Sequence, residues 1–487
     1  MNDLFEYRVE ALSADARVDF DALLGSHASV VMETLNGPRH FDGIVTHIRA
    51  LGRAENGYVH EMTLRPWFWL AGRRTNQKIF HNKSVDTILQ ELLAPYAGAG
   101  NPHLELRLTR PYPVLEYTVQ YRESDLAFAC RMMERFGISY YFEHSDSNHV
   151  MVLTDADSAH QVIAGGTRPL RPVDGHHQSD EEHFWSFAPE RNLTTGAVRL
   201  IDYNFKTPSA AMEAERVGDA AHAFGQLESY EYPGNYPDRA TGNQIARLRT
   251  DQFRGADARS RAEGDCVGLG AGMIVTVTGD DLTGIEPRQL CLSSHHSFQS
   301  EAYGSGGAGG DGYAYTGSFT LMPASAPLAP PRRTPVPVVQ GPQTAVVVGE
   351  DEIDCDEYGR VLVRFHWDLE GAISMRIRVS QQWAGNGLGA VVIPRVGMEV
   401  VVDFIDGDPD KPLITGCVVN ASNANIYGLP ANKTKSGFKS KTHNGGGFNE
   451  FSLDDVNGAE RIFTHAQKDH DTVVQDNQTT RVVSGNR

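Results

Sequence analysis

Apolar and polar side chains alternate most regularly in residues 361–368, which read VLVRFHWD. This period of two places the valines, the phenylalanine and the tryptophan on one face and predicts a half-buried strand. Residues 375–379, 400–405 and 413–419 are also strand-like and are bounded by glycine, proline or aspartate. Several short strands at this spacing predict a closed or partly closed barrel of the oligonucleotide/oligosaccharide-binding (OB) type.

The region before residue 323 alternates strand-like runs with two recognisable helices, which predicts an α+β or mainly β hub domain. In the first helix, Ser84 is the expected N-cap, and apolar residues then recur at helical spacing. In the second, Ser124 is the expected N-cap and Gly137 is expected to end the helix in the left-handed conformation. The chain as a whole is therefore predicted to be mainly β.

Repeated prolines in residues 323–342, PASAPLAPPRRTPVPVVQGP, predict an extended connector, because proline removes a backbone donor and fixes φ. We therefore predict four segments. They are a hub domain (1–322), a proline-rich linker (323–345), an OB barrel (346–428), and a connector with the start of a needle (429–487).

Two similar hexads, TVVQDN from Thr472 and RVVSGN from Arg481, lie at the end of the sequence. Each predicts a short strand followed by a turn, and a single chain with such short strands cannot bury its valines. Three intertwined copies would bury them, so the hexads predict the start of a trimeric β-prism or β-helix, which we expect to continue past Arg487. The proposed shared core consists of Val473, Val474, Val482 and Val483.

Longer phrases of the sequence resemble one bacterial family. They include RPWFWLAGRRTNQKIF from Arg65, YRESDLAFACRMMERFGISYYFEH from Tyr121, GPQTAVVVG from Gly341 and NGGGFNEFSLDD from Asn444, and the barrel phrases lie among them in the same order. Together they cover nearly the whole chain. They resemble VgrG, the valine-glycine repeat spike of the bacterial type VI secretion system, which is related to the hub and spike proteins of contractile phage tails.

This resemblance implies a structural homotrimer rather than an enzyme. In the family, the hub end sits on the hexameric tube of Hcp protein among baseplate proteins, and a PAAR protein caps the needle tip. Toxic effectors ride on the spike, sometimes through adaptor or chaperone proteins, and sheath contraction drives it through a target membrane. The resemblance therefore implies assembly in the cytoplasm followed by secretion into the medium or a target cell. It implies no cofactor, no metal and no catalytic residue.

Charge and composition narrow the possible partners. The formal net charge of −18 argues against nucleic acid, although OB barrels often bind it. The first residues, MNDLFEYRVE, lack the basic and apolar regions of a secretory signal, and no apolar run approaches the roughly 20 residues that span a bilayer. The five scattered cysteines form no CxxC pair, so we expect buried thiols rather than disulfides or a zinc site.

Four local patterns have a chemical alternative, but a structural interpretation is favoured for each. GSGGAG (304–309) fits a dinucleotide loop, yet a strand-like segment follows it. DGDPDKP (406–412) resembles the start of a calcium loop but lacks the later glutamate, which favours a barrel turn. The acidic run 350–357 favours a solvated face over a cation site. Among histidines, neither His176, His177 and His183 nor the adjacent pair His295 and His296 favours a metal site.

Two other functions stay open. A phage tail-associated spike with peptidoglycan hydrolase activity would need an inserted catalytic domain, whereas barrel and needle are contiguous here. The chain has no nucleophile elbow, HExxH pair or phosphate loop, although spacing does not exclude the paired carboxylates of a glycosidase. A barrel that binds nucleic acid or sugar would need a series of stacking aromatics, and Trp367 and Trp383 do not form one.

Overall fold

A computed structural model describes residues 1–34, 36–54, 57–171, 181–218, 222–279, 284–300, 313–483 and 485. The fold is mainly β with an α+β hub, as predicted. Two compact units are present. The first comprises Met1–Asn76, Asn82–Leu115 and Gln120–Val336, and the second comprises Gln77–His81, Glu116–Val119 and Pro337–Arg487. The four segment boundaries given above stay predictions.

The chain begins with the strands β1 (Tyr7–Ser13), β2 (His27–Thr34), β3 (Gly37–Ala54) and β4 (Gly57–Arg65). They form an antiparallel sheet in the order β1-β4-β3-β2. A short helix, α1 (Phe20–Leu23), lies between β1 and β2, and a 3₁₀ helix (Trp67–Gly72) follows β4. The next strands are β5 (Thr75–Ser84), β6 (Leu104–Arg107), β7 (Val114–Ser124), β8 (Ser139–Ser145) and β9 (Asn148–Thr154), which pair as β5-β7 and as β6-β9-β8.

Two helices, α2 (Val85–Leu93) and α3 (Asp125–Phe136), form where the sequence predicts them. Ser84 occupies the N-cap position of α2, and the apolar stripe of that helix is buried. Ser124 Oγ accepts a backbone N–H in the first turn of α3, and Gly137 ends the helix with φ at 69°. A positive φ of this kind favours glycine, so both ends of α3 follow from local chemistry. Two 3₁₀ helices, Ala94–Ala99 and Asp157–Ala159, complete this region.

The other strands of the first unit are β10 (Val162–Pro169), β11 (Phe184–Arg191), β12 (Ala197–Leu200), β13 (Ala214–Val217), β14 (Glu228–Glu231), β15 (Ala258–Gly264), β16 (Ile274–Thr278), β17 (Arg288–Ser300) and β18 (Tyr313–Pro323), with helix α4 (Arg239–Arg254) after β14. They form a six-stranded sheet, β10-β16-β17-β18-β15-β11, and a three-stranded sheet, β13-β12-β14. Phe184 and Phe319 lie at the centre of the six-stranded sheet's core.

The cysteines follow the prediction of buried thiols only in part. Cys266 and Cys291 are buried in the core of the six-stranded sheet, and Cys130 is half-buried. Cys355 and Cys417 are exposed, so the prediction is wrong for these two. The prediction failed because it rested on the absence of a CxxC pair, which says nothing about the side of the barrel on which a residue lies.

The barrel strands of the second unit are β19 (Gln343–Val348), β20 (Leu362–Phe365), β21 (Glu399–Phe404) and β22 (Pro412–Val418), in the order β20-β19-β21-β22, with a 3₁₀ turn at Ile405–Gly407. Val361, Val363 and Phe365 are buried, as the alternation predicts. Residues 375–379 form only isolated bridges instead of the predicted strand. Ser374 Oγ accepts the backbone N–H of Val363 at 3.0 Å, which takes up a donor that a regular ladder would use.

The second unit also contains β23 (Lys435–Lys441), β24 (Phe448–Asp454) and β25 (Arg461–His465), an antiparallel sheet in the order β23-β24-β25. Beyond residue 465, the part of the chain that the structure describes has no helix or strand. None of the described helices is long and apolar enough to cross a membrane.

Candidate functional site

The valines assigned to a shared needle core are exposed in the single chain. The exposed fractions are 81 % for Val473, 45 % for Val474, 54 % for Val482 and 85 % for Val483. Because these valine side chains stay exposed, the segment gains no free energy from burial to offset the conformational entropy lost on ordering. Their assignment to a trimer core stays a prediction.

The sheet β23-β24-β25 exposes one apolar face. Phe438 lies opposite Phe451 in the antiparallel register, and Leu453 lies opposite Ile462 on the same face two residues along. Phe438 is 74 % exposed, Ile462 is 71 % exposed and Phe451 is 46 % exposed. A sheet needs something to cover its apolar face, and none of the described residues buries these side chains.

The opposite face of this sheet is satisfied within the chain. The rings of Phe448 and His465 stack at 4.5 Å, and the Lys439 ammonium lies 4.0 Å from the centre of the Phe448 ring. Tyr427 donates a hydrogen bond to Glu450 at 3.0 Å. The contrast between the two faces shows that only the face of Phe438 lacks a partner surface in one chain.

A polar cluster around Glu352 connects this sheet to the barrel within the second unit. The backbone N–H of Asn444 donates to Glu352 Oε2 at 2.7 Å, and Arg395 and Lys441 bind Oε1 at 2.7 and 3.1 Å. Arg395 Nη2 also donates to the carbonyl of Lys441 at 2.7 Å. The Asn444 hydrogen bond, followed by those from Arg395 and Lys441, lowers the pKa of Glu352 to about 2. The carboxylate therefore stays ionised and holds the end of β23 in place.

The acidic run 350–357 is more than the solvated face that the sequence predicts. Besides Glu352, Asp354 binds Arg376 at 2.6 Å, and Asp356 binds Arg360 at the same distance. The first of these ion pairs joins residues 22 positions apart in the sequence, the second closes a local turn between residues i and i+4, and both carboxylates are committed to basic partners. The acidic run therefore stabilises the barrel unit through ion pairs within the chain, and it is not simply a free acidic surface.

Two of the three carboxylates in the DGDPDKP turn accept hydrogen bonds within the chain. Asp410 accepts hydrogen bonds from the hydroxyl of Thr118 at 2.9 Å and from the N–H of Val119 at 2.8 Å. Asp408 accepts the N–H of Asp410 at 2.9 Å, so it caps its own turn. This arrangement agrees with the predicted barrel turn.

Sequence reasoning missed a buried cluster in the first unit. Asp42 Oδ1 lies 2.9 Å from His27 Nδ1 and 2.6 Å from His149 Nδ1, and these atoms are close enough together to hold a metal ion. His149 Nε2 accepts the backbone N–H of Trp67 at 2.8 Å, so its proton lies on Nδ1 and points to Asp42. Ser29 donates to the second oxygen of Asp42. Since each ligand atom already has a partner, we interpret the cluster as a structural network and not as a metal site.

Burial determines the electrostatics of this network. It lowers the pKa of His149, and it lowers the pKa of the neighbouring His144 to about 3. Burial acts to raise the pKa of Asp42, but hydrogen bonds from His149, Ser29 and His27 outweigh it and lower the pKa. Residues 27 and 42 lie more than 100 positions before residues 144 and 149 in the sequence, so no local spacing could have indicated the cluster.

The other histidine patterns do not form a metal site among the described residues. His183 is buried, and its Nδ1 lies 3.3 Å from Asp265. His296 Nδ1 lies 2.7 Å from the Tyr315 hydroxyl, while the neighbouring His295 points to the other side of β17. His176, His177 and GSGGAG (304–309) lie outside the described residues.

Three known families match successive parts of the chain. "Phage tail baseplate hub (GPD)" matches residues 1–302, and "Type VI secretion system/phage-baseplate injector OB domain" matches residues 343–418. "Bacteriophage T4 gp5 C-terminal trimerisation domain" matches residues 436–487. The last match contains both the sheet with the exposed apolar face and the valine hexads.

Individual proteins are similar over nearly the whole chain. The type VI secretion system spike protein VgrG1b of Pseudomonas aeruginosa is 38 % identical over 487 residues, which are 98 % of this chain and 65 % of that protein. VgrG1a of the same organism is 38 % identical over 499 residues, with 98 % of this chain and 75 % of that protein covered. The chain thus spans somewhat under two thirds of the length of the first of these relatives.

A solved structure supports the same fold. The E. coli c3393 protein, described as a component of the type VI secretion system with structural similarity to the T4 bacteriophage tail proteins gp27 and gp5, superposes with a TM-score of 0.59. The match has 19 % sequence identity and covers 86 % of this chain and 94 % of that one. At this identity it supports the fold alone.

Proposed function

The chain belongs to the VgrG family of type VI secretion system spike proteins, and we propose that it is the hub and spike of such a system and works as a homotrimer. Three copies around one axis form the spike. The function is mechanical: the trimer punctures a target membrane and carries other proteins with it.

The exposed apolar face of β23-β24-β25 carries this proposal. Phe438, Phe451 and Ile462 face solvent in one chain, and contiguous apolar surface of this kind marks an interaction site in a soluble protein. These residues lie within the match to a trimerisation domain. In the trimer each copy covers this face of its neighbour, and Val473, Val474, Val482 and Val483 extend the shared core.

The remaining partners follow from the family. The hub end of the trimer caps the Hcp tube among baseplate proteins, and a PAAR protein caps the needle. Effectors, with adaptor or chaperone proteins where needed, travel on the spike from the cytoplasm to the medium or a target cell. Similarity to spike proteins over 98 % of the chain supports this set of partners. Nucleic acid is not among them, because the net charge of −18 opposes phosphate binding.

The chain is not an enzyme under this proposal. The alternative, a phage tail-associated spike with peptidoglycan hydrolase activity, is supported by the phage hub match but by no catalytic constellation in the sequence. The purified chain should therefore not reduce the turbidity of a peptidoglycan suspension faster than a buffer control does. Clearing at a rate comparable to that of a lysozyme would favour the alternative.

Light scattering tests the trimer directly. The purified chain should have three times the mass of one copy, and removal of residues 436–487 should yield monomers. A stable monomer at micromolar concentration would contradict the spike proposal as a whole. A trimer that survives the truncation would place the principal contact outside the needle and its preceding sheet.

A cellular assay tests the assignment to secretion. Deletion of the gene in its own bacterium, in a background without other spike genes, should abolish release of Hcp protein into the medium, and re-expression should restore it. Immunoblotting of medium and cell fractions measures both amounts. Unchanged release of Hcp after deletion would contradict a role as the spike of that system.

A further inference from the structure

The guanidinium of Arg39 lies within the first unit without a counter-charge. Arg39 belongs to β3, and its Cζ is 5.3 Å from the centre of the Phe41 ring. Among the residues that the structure describes, no carboxylate forms an ion pair with Arg39, and its Nε is buried without a hydrogen-bond acceptor. Burial is the largest influence on the pKa of Arg39 and lowers it. Because a buried charge without a partner is costly, an anion that the chain does not supply would stabilise this position.

The carboxylates of this region are already bound to other groups. Glu182 accepts two hydrogen bonds from Arg168, at 2.6 and 2.8 Å, and one from the backbone N–H of Gly268 at 3.3 Å. Asp42 accepts hydrogen bonds within the buried network described above. Neither carboxylate can neutralise Arg39 without losing its own partners.

Neutral polar side chains lie near Arg39 instead. The Tyr7 hydroxyl is 3.2 Å from His144 Nε2, and the Tyr315 hydroxyl is 2.7 Å from His296 Nδ1. Burial, followed by the charge of Arg39, lowers the pKa of His144 to about 3 and that of His296 to about 4. Both imidazoles are therefore neutral at pH 7. These four side chains come from β1, β8, β17 and β18, so three sheets contribute to the surroundings of Arg39.

The end of the guanidinium is accessible to a ligand. Arg39 is half-buried, and only its Nε is fully buried without a hydrogen bond. Gly270 makes this placement possible, because a Cβ atom there would lie 2.6 Å from Nη2 of Arg39. A guanidinium holds its N–H donors in a rigid planar fork, and those of Nη1 and Nη2 remain available to a ligand.

The donors around Arg39 indicate the chemical class of the ligand. A guanidinium fork binds phosphate and carboxylate oxygens through two parallel hydrogen bonds. Each neutral imidazole retains one N–H donor and each hydroxyl one O–H donor, so the surroundings add donors without adding charge. A tetrahedral anion presents oxygens in several directions, which suits donors from three sheets better than a planar carboxylate does.

We propose that Arg39 binds a small tetrahedral oxyanion of the phosphate class, with Nη1 and Nη2 donating hydrogen bonds to its oxygens. The bound anion supplies the counter-charge that the described part of the chain lacks at this position. The site lies far in sequence from the trimerisation match at residues 436–487. It depends neither on the homotrimer nor on a role in secretion.

Modification of the full chain by phenylglyoxal, which reacts with arginine, tests this site directly. Roughly 50 mM inorganic phosphate, compared with chloride at equal ionic strength, should slow the modification of Arg39 by about tenfold, since a site built on one charged pair binds in about the millimolar range. Peptide mass spectrometry measures each arginine separately. Arg53 is the matched control, because it also belongs to β3 and is exposed, and phosphate should leave its rate unchanged.

Three results of this experiment would overturn the proposal. Equal slowing at Arg39 and Arg53 would show general charge screening, and unchanged rates at both would show that no anion binds. An Arg39 that fails to react even in chloride would show that the fork is closed to ligands. Acetate should protect Arg39 less than phosphate does, and equal protection would overturn the assignment to a tetrahedral anion.

Arg39→Gln gives an independent measurement, because it removes the charge and keeps a polar side chain. Phosphate raises the melting temperature of many proteins by exclusion from their surface, so the difference between variants is the quantity to measure. The rise caused by phosphate should be smaller for Arg39→Gln than for the wild type, and Arg53→Gln should match the wild type. An equal rise in all three proteins would contradict the site.

Gly270→Ala tests the geometry while the charge is retained. The added Cβ atom must displace Nη2 of Arg39, so phosphate should protect Arg39 from phenylglyoxal much less in this variant. Gly98→Ala is the control, because an added Cβ atom there meets nothing within 4 Å, and it should keep the wild-type protection. Full protection of Arg39 in Gly270→Ala would contradict the proposed position of the anion.

Discussion

Replacing Phe438 by alanine should weaken the trimer without unfolding the chain. The ring is 74 % exposed in a single copy, so the substitution removes little intrachain packing. In the proposed trimer that exposed part is covered by a neighbouring copy. The variant should therefore dissociate at a higher protein concentration than the wild type, while its secondary structure stays the same.

The size of the effect follows from the covered area. Full burial of a phenylalanine side chain stabilises by about 1.5–3 kcal/mol, so covering the exposed three quarters contributes about 1–2 kcal/mol per copy. Three copies give about 3–7 kcal/mol per trimer. At 1.4 kcal/mol per factor of ten, the trimer dissociation constant should rise by about 10² to 10⁵.

Phe224→Ala is the matched control. Phe224 is 73 % exposed, nearly the same as Phe438, but it lies in the first unit outside the trimerisation match. Sedimentation equilibrium at several concentrations should show a shift for Phe438→Ala alone. Equal dissociation constants for both variants and the wild type would refute the assignment of the exposed sheet face to the trimer contact.

Three further predictions test the needle, the buried histidines and the Glu352 cluster. Val474→Asp should lower the melting temperature of the trimer at neutral pH, because the substitution buries three like charges together. Gln475→Asp should leave the melting temperature nearly unchanged, and thermal melts compare the two variants. As pH falls from about 6.5 to 4, the unfolding free energy should decrease by up to about 1.4 kcal/mol per pH unit because of His144. Burial lowers the pKa of His144 to about 3, so the unfolded chain binds more protons than the folded chain in this pH range. Denaturant titrations at each pH measure this slope, and a flat profile would contradict the prediction. Glu352→Gln should speed hydrogen exchange at residues 441–444, whereas Glu350→Gln, outside the cluster, should not.

The helices of the hub could be predicted because their signals are local. The N-cap at Ser124 and the left-handed Gly137 each act within one turn, and they set the ends of α3 without help from distant residues. The alternation at Val361, Val363 and Phe365 also acts locally, since it only requires that one face of a strand be covered.

Features that depend on distant partners could not be predicted. The Asp42 cluster unites residues from β2, β3 and β9, and its hydrogen bonds exist only after those strands meet. The predicted strand at 375–379 failed for a related reason. Ser374 Oγ takes up a backbone N–H that the ladder would use, and the spacing of Met375, Ile377 and Val379 contains no sign of this hydrogen bond.

The exposed sheet face shows what an alternating pattern can and cannot tell. The apolar positions of β24 in FNEFSL identify two faces, but the same pattern is compatible with cover from the same chain or from another copy. Phe448 is covered by its own chain and Phe451 is not. The difference depends on His465 and Lys439, which approach from neighbouring strands, so only the structure distinguishes the two faces.

The valine hexads are also ambiguous, because their pattern does not say which valines face the axis of the trimer. Adjacent residues of a strand point to opposite faces, so Val473 and Val474 cannot both face one axis while the backbone is extended. The two pairs lie nine positions apart, an odd number, and a continuous strand would therefore present Val474 and Val483 on opposite faces. The backbone bends at residues 475 and 476, which breaks that continuity. A shared core that includes Val474 and Val483 thus requires the bend as much as the valines, and the neighbouring copies must cover the other valine of each pair.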